Sequence, residues 1–94
     1  MTRAQLISLL TSKYSNLSPK LIDASVREIF QVMTETLAYG DRIEIRGFGS
    51  FEVRTREPRT AHNPKTGESV SLGARKVVHF KPGVELRQRV NNVK

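Results

Sequence analysis

The chain has 94 residues and no cysteine, with 16 Lys/Arg against nine Asp/Glu, a formal net charge of +7 and a pI near 10.4. A disulfide framework, a thiolate nucleophile and a Cys-based zinc site are excluded, and the length fits one domain over residues 1–94 that buries only about two thirds of its unfolded surface. No apolar run approaches the ~18 residues of a membrane span, and Met1-Thr2-Arg3 opens straight into a helical pattern, so nothing addresses the protein out of the cytoplasm.

Thr2-Arg3-Ala4-Gln5 has the pattern of a capping box, in which the Thr2 hydroxyl and the Gln5 amide satisfy the first free amides of a helix. Leu6, Leu9, Leu10 and Tyr14 then mark one face at helical spacing. Ser15-Asn16-Leu17 breaks the pattern, and Ser18-Pro19 restarts it as N-cap plus first-turn proline. Ile22, Val26, Ile29, Phe30, Met33 and Leu37 form a wide apolar stripe, and Gly40 is expected to close this second helix with a positive φ. The first forty residues thus predict a helical hairpin. The second helix carries only Lys20 and Arg27 as cations, which suits core or subunit packing better than DNA recognition by a helix-turn-helix.

From Asp41 the period changes to two. Ile43 and Ile45 share a face, with Arg42, Glu44 and Arg46 opposite. After Gly47, Phe51 and Val53 alternate with Glu52, Arg54 and Arg56, and the two glycines around Phe48 predict a tight turn with Phe48 and Phe51 anchored in the core. Asn63-Pro64-Lys65-Thr66-Gly67 supplies turn chemistry. Val70 and Leu72 resume a strand weakly, Val77 to Phe80 strongly. Pro82 is then expected to open a short C-terminal helix carrying Val84, Leu86 and Val90. The expected class is α+β: a helical hairpin base, a three-stranded antiparallel sheet with a long extended β-ribbon arm at about residues 55–75, and a short C-terminal helix. An arm of that size leaves a thin core, which calls for a second subunit.

Charge is unevenly spread along this order. Residues 1–47 carry six Lys/Arg and five Asp/Glu, whereas residues 48–94 carry ten and four. Between Val53 and Arg75 large apolar side chains are few, so this stretch is no core element. A ribbon that carries Arg54, Arg56, Arg59 and Lys65 away from the body, with Arg75, Lys76 and Lys81 on the return, suits a polyanion better than a small-molecule substrate. Pro64 can shape a hairpin tip, or act as a wedge between base pairs: it is rigid, apolar and without a donor, and Asn63 and Lys65 flank it. The wedge explains the clustered cations as well, and gives duplex DNA, gripped through its minor groove, as the partner.

Enzyme chemistry finds no support. Gly47-Phe48-Gly49 begins like a dinucleotide loop, but Glu52 stands where a third glycine belongs and a strand follows where a helix is required. His62 and His79 lie seventeen residues apart with no carboxylate pair at ligand spacing, so no metal is expected, and no cofactor. Ser50 has no evident base and no nucleophile elbow.

Arg46-Gly47-Phe48-Gly49-Ser50-Phe51, Pro58-Arg59-Thr60, Asn63-Pro64-Lys65-Thr66-Gly67 and His79-Phe80-Lys81-Pro82-Gly83 resemble the successive motifs of the bacterial HU/integration host factor family, over essentially the whole chain. Arg42-Ile43-Glu44-Ile45-Arg46 resembles most the beta-subunit branch of integration host factor. HU and integration host factor are themselves known minor-groove architectural proteins, so DNA bending is what the resemblance implies and not a product of composition. It further implies an intertwined dimer whose two β-arms embrace DNA, with Pro64 intercalating and Arg59, Asn63 and Lys65 in the minor groove. Glu44 and Arg46 match positions that discriminate sequence, and Lys81-Pro82-Gly83 matches a phosphate-contacting segment. The family usually has Gly-Arg before Asn-Pro, whereas this chain has Ala61-His62, which removes a permanent charge and a flexible hinge. The resemblance leaves two assemblies open, a heterodimer with a related alpha chain and an HU-like homodimer of low sequence preference. A small RNA-binding protein is the alternative from another class. Its sheet would display stacking aromatics, and here Phe48, Phe51 and Phe80 are assigned to the core.

Overall fold

The computed structural model describes the backbone of residues 1–92 and the side chains of these residues other than Arg59, Ala61, Val70, Ser71 and Leu72. It divides into two compact units, residues 1–35 and 36–94. Helices α1 (Arg3–Lys13) and α2 (Pro19–Tyr39) precede five strands, β1 (Ile43–Ile45), β2 (Gly49–Arg56), β3 (Arg59–His62), β4 (Ser69–Leu72) and β5 (Arg75–Pro82), and α3 (Val84–Asn91) follows. No helix among the described residues is long and apolar enough to cross a membrane.

The helix ends follow the local chemistry of the sequence. The Thr2 amide donates to Gln5 Oε1 at 2.8 Å and the Gln5 amide donates to Thr2 Oγ1 at 3.1 Å, a complete capping box. The Leu21 amide donates to Ser18 Oγ at 3.1 Å, which caps α2 ahead of its first-turn proline. At the far end Gly40 adopts φ +104°, and the amides of Gly40 and Asp41 donate back to Leu37 and Thr36. This is the Schellman arrangement, which needs a left-handed residue and gives the last carbonyls their donors.

Within the first unit, Ile22 and Val26 are 6% and 5% exposed, and they are the only buried apolar side chains found among the described residues. Leu10, Tyr14, Leu17, Leu21 and Ile29 frame an open cavity of about 210 Å3 over them. The expected apolar stripe on α2 is therefore only half covered. Ile29 and Phe30 remain 57% and 41% exposed, and α1 contributes no buried residue.

In the second unit β2 pairs antiparallel with both β1 and β5, in the order β1-β2-β5, while β3 and β4 form a separate two-stranded ribbon. The ribbon starts after Arg56 and rejoins the sheet at Arg75, inside the expected span. Phe51 and Phe80 are register partners with ring centroids 4.7 Å apart, and Phe48 stacks on Phe80 at 5.5 Å. Such tilted pairs add to simple area burial. Phe48 nevertheless stays 43% exposed, so only one edge of it is anchored and the expectation of a buried Phe48 is corrected. The two neighbouring glycines also serve different ends. Gly47 holds φ +82° in a turn closed by the Phe48 amide donating to Ile45. Gly49 is buried in β2, where a Cβ would meet the Lys81 carbonyl at 2.6 Å and the Phe80 ring at 2.7 Å.

A second correction concerns Pro82. It ends β5 opposite Gly49 and does not open α3, whose N-cap is Gly83. A proline lacks the N–H a continuing ladder needs, so it fits the last strand position as well as a first helical turn.

Gly49→Ala is expected to destabilise the fold by about 1–3 kcal/mol through overpacking against a backbone carbonyl and a ring. Gly73→Ala has open space and no positive φ, and its unfolding free energy from urea denaturation should stay within about 0.5 kcal/mol of the parent.

Candidate nucleic-acid interface

The register of the three-stranded sheet sorts its side chains onto two faces. Ile43, Ile45, Phe51, Val53, Val78 and Phe80 fall on one; Glu44, Ser50, Glu52, Arg54, Arg56, Arg75, Val77, His79 and Lys81 fall on the other. Period-two alternation in the sequence placed Glu52, Arg54 and Arg56 together, and the pairing adds the β5 groups to them. Lys76 pairs with Thr55 and lies on the opposite face from Arg75.

At one end of this polar face lies a groove of about 720 Å3. Arg42, Glu44, Arg46, Ser50, Lys81, Gly83 and Arg87 line it. Five of these, Arg42, Glu44, Arg46, Lys81 and Gly83, were singled out from the sequence, in two separate stretches, and β1-β2-β5 pairing brings them together. Arg87 was missed. It reads as an ordinary helix-surface cation, and its only signal is the spacing of four from Gly83, which places it one turn into α3. The Gly83 amide is already engaged, donating to the Phe48 carbonyl at 2.8 Å. Gly83 thus contributes by starting the helix without a capping side chain, which leaves the first-turn amides of α3 for an external acceptor.

The cations of this face differ in how far they are already satisfied. Two guanidinium nitrogens of Arg54 converge on Glu52 Oε1 at 2.7 and 2.8 Å. That hydrogen bond first, and then the Arg54 charge, hold the Glu52 carboxyl below the usual carboxylate range. The pair is intact at neutral pH and is lost only as pH falls through that lowered value. Arg42 lies 3.6 Å from Glu44, a looser pair. Arg56 and Arg75 are different: they are exposed register partners, the last pair before the ladder breaks. Like charges directly opposite each other on a sheet repel, so this site is more comfortable with an anion between them.

Beyond that break the ribbon runs Arg59↔Leu72 to His62↔Ser69 and closes on residues 63–68. The tip is tightly bonded. The Asn63 amide donates to the Glu68 carbonyl at 2.8 Å, the Gly67 amide to the Asn63 carbonyl at 2.7 Å, and the Lys65 amide to Asn63 Oδ1 at 2.9 Å. Gly67 holds φ +74°. Pro64 therefore sits in a fixed Asx-type turn, exposed, between Asn63 and Lys65. The Arg59 side chain lies outside the described residues; its backbone is in β3.

Two regions of positive charge follow, a groove at the body of the second unit and a ribbon with a rigid tip. Neither has the convergent polar groups in an apolar cavity that mark a small-molecule site.

Comparison with known proteins agrees with this chemistry. A family model described as bacterial DNA-binding protein matches residues 1–91. The chain is 56% identical over 94 residues to integration host factor subunit beta of Methylococcus capsulatus, spanning 100% of this chain and 99% of that one. Identity is 55% over 91 residues with the same subunit of Colwellia psychrerythraea, covering 97% and 96%. Among solved structures, an Anabaena HU–DNA cocrystal structure matches with a TM-score of 0.87 at 31% identity, over 99% of this chain and 100% of that one. HU from Thermotoga maritima matches with a TM-score of 0.66 at 29% identity, over 96% and 98%. The cationic groove, the two-stranded ribbon and a family match from end to end converge on one conclusion: the chain belongs to the bacterial DNA-binding proteins of the HU and integration host factor type and is an architectural DNA-binding protein.

Proposed function

We propose that this chain is a subunit of a dimer that grips the minor groove of duplex DNA with its ribbons and bends it sharply, in the manner of an integration host factor beta subunit. The observation that carries the bending is the ribbon tip, where Pro64 is exposed and immobilised by three turn hydrogen bonds and flanked by Asn63 and Lys65. A rigid apolar group without a donor can enter a base step. Unstacking costs about a few kcal/mol, offset by the backbone contacts that a bent duplex permits. Arg54, Arg56, Arg59, His62, Lys65 and Arg75 then follow the arm, with Lys76 on its other side. Arg42, Glu44, Arg46, Lys81 and Gly83 act at the groove: Glu44 and Arg46 are the candidates for sequence preference, Arg42 and Lys81 for phosphate contact, and Gly83 starts the helix whose first-turn amides can face a phosphate.

The dimer is supported by burial. The described residues contain only two buried apolar side chains, too thin a core for a stable monomer, and exposed Leu21, Ile29, Phe30 and Val32 on α2 offer the surface a second subunit would cover. The match to beta subunits at 56% identity favours a related alpha chain as that partner. The structural likeness to HU, at 31% identity, keeps an HU-like homodimer as the second reading. Native mass measurement of the purified chain and competition by random-sequence DNA separate the two. The whole chain acts as one functional domain, associated with the nucleoid, and serves the processes that use bent DNA: recombination, replication, transcription and chromosome organisation. It works by positioning DNA rather than by catalysis.

Energy transfer between fluorophores on the two ends of a short duplex tests the bending. It should rise saturably with protein, and an unchanged signal with bound protein would overturn the proposal. Pro64→Ala should lower that transfer several-fold more than it lowers affinity, because the phosphate contacts remain. Arg59→Ala should flatten the plot of log affinity against log salt by about one unit if it neutralises one phosphate. Arg75→Glu replaces a repelling pair with an attracting one. Its melting temperature should hold or rise while DNA affinity falls, and a loss of both would assign Arg75 to the fold instead.

A further inference from the structure

His62 is the last residue of β3 and the ladder partner of Ser69, two residues before Pro64. Its ring is exposed, and Nδ1 lies 3.5 Å from Ser69 Oγ. That partner has a particular property. A hydroxyl donates to a bare ring nitrogen and accepts from a protonated one, so the contact survives a change in the charge of the imidazole. The other groups that could set the charge at this point are few. On β3 there is Arg59; β4 carries no titratable residue; the turn adds Lys65 and Glu68. Glu68 is tied into the turn through its backbone, its carbonyl accepting from Asn63 and its amide donating to Thr66. Glu68 remains the one carboxylate of the ribbon end, and it opposes the binding of a polyanion there.

We infer that His62 makes the ribbon's grip on DNA proton-coupled: the imidazolium pairs with a backbone phosphate, so that binding takes up a proton and tightens as pH falls. The inference rests on the ribbon reading given above and adds its regulation. Histidine changes charge between about pH 5 and pH 8, so the group works as an adjustable cation within the range a cell experiences. The sign follows from linkage. A phosphate favours the charged ring, so the proton is held more tightly in the complex than in the free protein. The added affinity is full where the free ring is already protonated, and it is lost as pH rises through the value of the complex. Among the side chains, His79 is the only other histidine. It faces Glu52 across the β2–β5 ladder, with Arg54 and Arg42 also acting on that carboxylate. It belongs to the sheet face and not to the ribbon, so it serves as the internal control.

The test is fluorescence anisotropy of a labelled duplex at constant ionic strength, at about pH 6 and about pH 8, with the full chain and the variants His62→Gln, His62→Arg and His79→Gln. The parent should bind about tenfold more tightly at the lower pH, the size of one charge-assisted hydrogen bond. His62→Gln should bind at both values as the parent does at the higher pH, and His62→Arg at both as the parent does at the lower. His79→Gln should keep the parent's dependence. Calorimetric titration in buffers of different ionisation enthalpy should show proton uptake by the parent that His62→Gln lacks. Binding that is equally tight at both pH values overturns the proton coupling and leaves the DNA reading standing. So does a pH dependence that persists in His62→Gln. Failure of parent and His62→Arg alike to bind duplex at either pH overturns the ribbon reading itself, and this inference with it.

Discussion

The pairing of β2 with β5 in one particular register determines most of what the second unit presents. It is set where Gly49 lies opposite Pro82 and the Phe80 ring occupies the space a Cβ at residue 49 would take. A slip of one residue would exchange the faces of every side chain on the strand. The aromatic stack of Phe48, Phe51 and Phe80 would be broken, and Arg54, Arg56 and Lys81 would leave the face they share. The same register brings Arg56 against Arg75 where the sheet ends, and directs the chain into the ribbon. A glycine chosen for close approach thus governs where the cations stand.

Those cations do not all have the same work available to them. Arg54 is held by Glu52, and Arg42 approaches Glu44, so part of their charge is spent inside the chain. Exposed pairs of this kind contribute little to stability, but they orient flexible side chains and lower the local field. The net charge of +7 is therefore carried outward mainly by groups that form no such pair among the described residues, including Lys81 at the groove and Arg56 with Arg75 at the ribbon's base. Opposed arginines gain from an anion in a way that an already paired arginine cannot. Affinity of this sort depends steeply on salt.

Much of this was legible in the sequence, because its signals were local. Thr2 with Gln5, Ser18 with Pro19, and Gly40 announce helix ends whose hydrogen bonds involve neighbours within five residues. The alternation from Ile43 to Arg56 announces strands, and Asn63-Pro64-Lys65-Thr66-Gly67 announces the turn. What escaped depends on pairing across distance. Pro82 carries the same local signal at a strand end as at a helix start, and only its partnership with Gly49 decides between them. Phe48 is apolar by composition and still half exposed, because its single aromatic neighbour, Phe80, covers one side of the ring. Arg87 joins the groove through the position of α3, and Arg54 is drawn to Glu52 by a rotamer choice that periodicity does not encode.

The ribbon combines weak strands with a strong tip. A two-stranded hairpin alone is marginal in water, and this one consists of two four-residue strands separated from the main sheet by breaks at Glu57-Pro58 and Gly73-Ala74. Its turn, by contrast, is fixed by several hydrogen bonds over six residues. That distribution makes sense for a probe rather than for a core element. The strands need only carry the tip to its target, and a surface lying alongside them can supply the order they lack. On the proposed bending the tip has to be rigid beforehand, because a wedge that yields on contact transfers its strain to itself instead of to the base step. On that proposal preorganisation is concentrated where force would be applied, and the remainder of the ribbon would take its order from the duplex it follows.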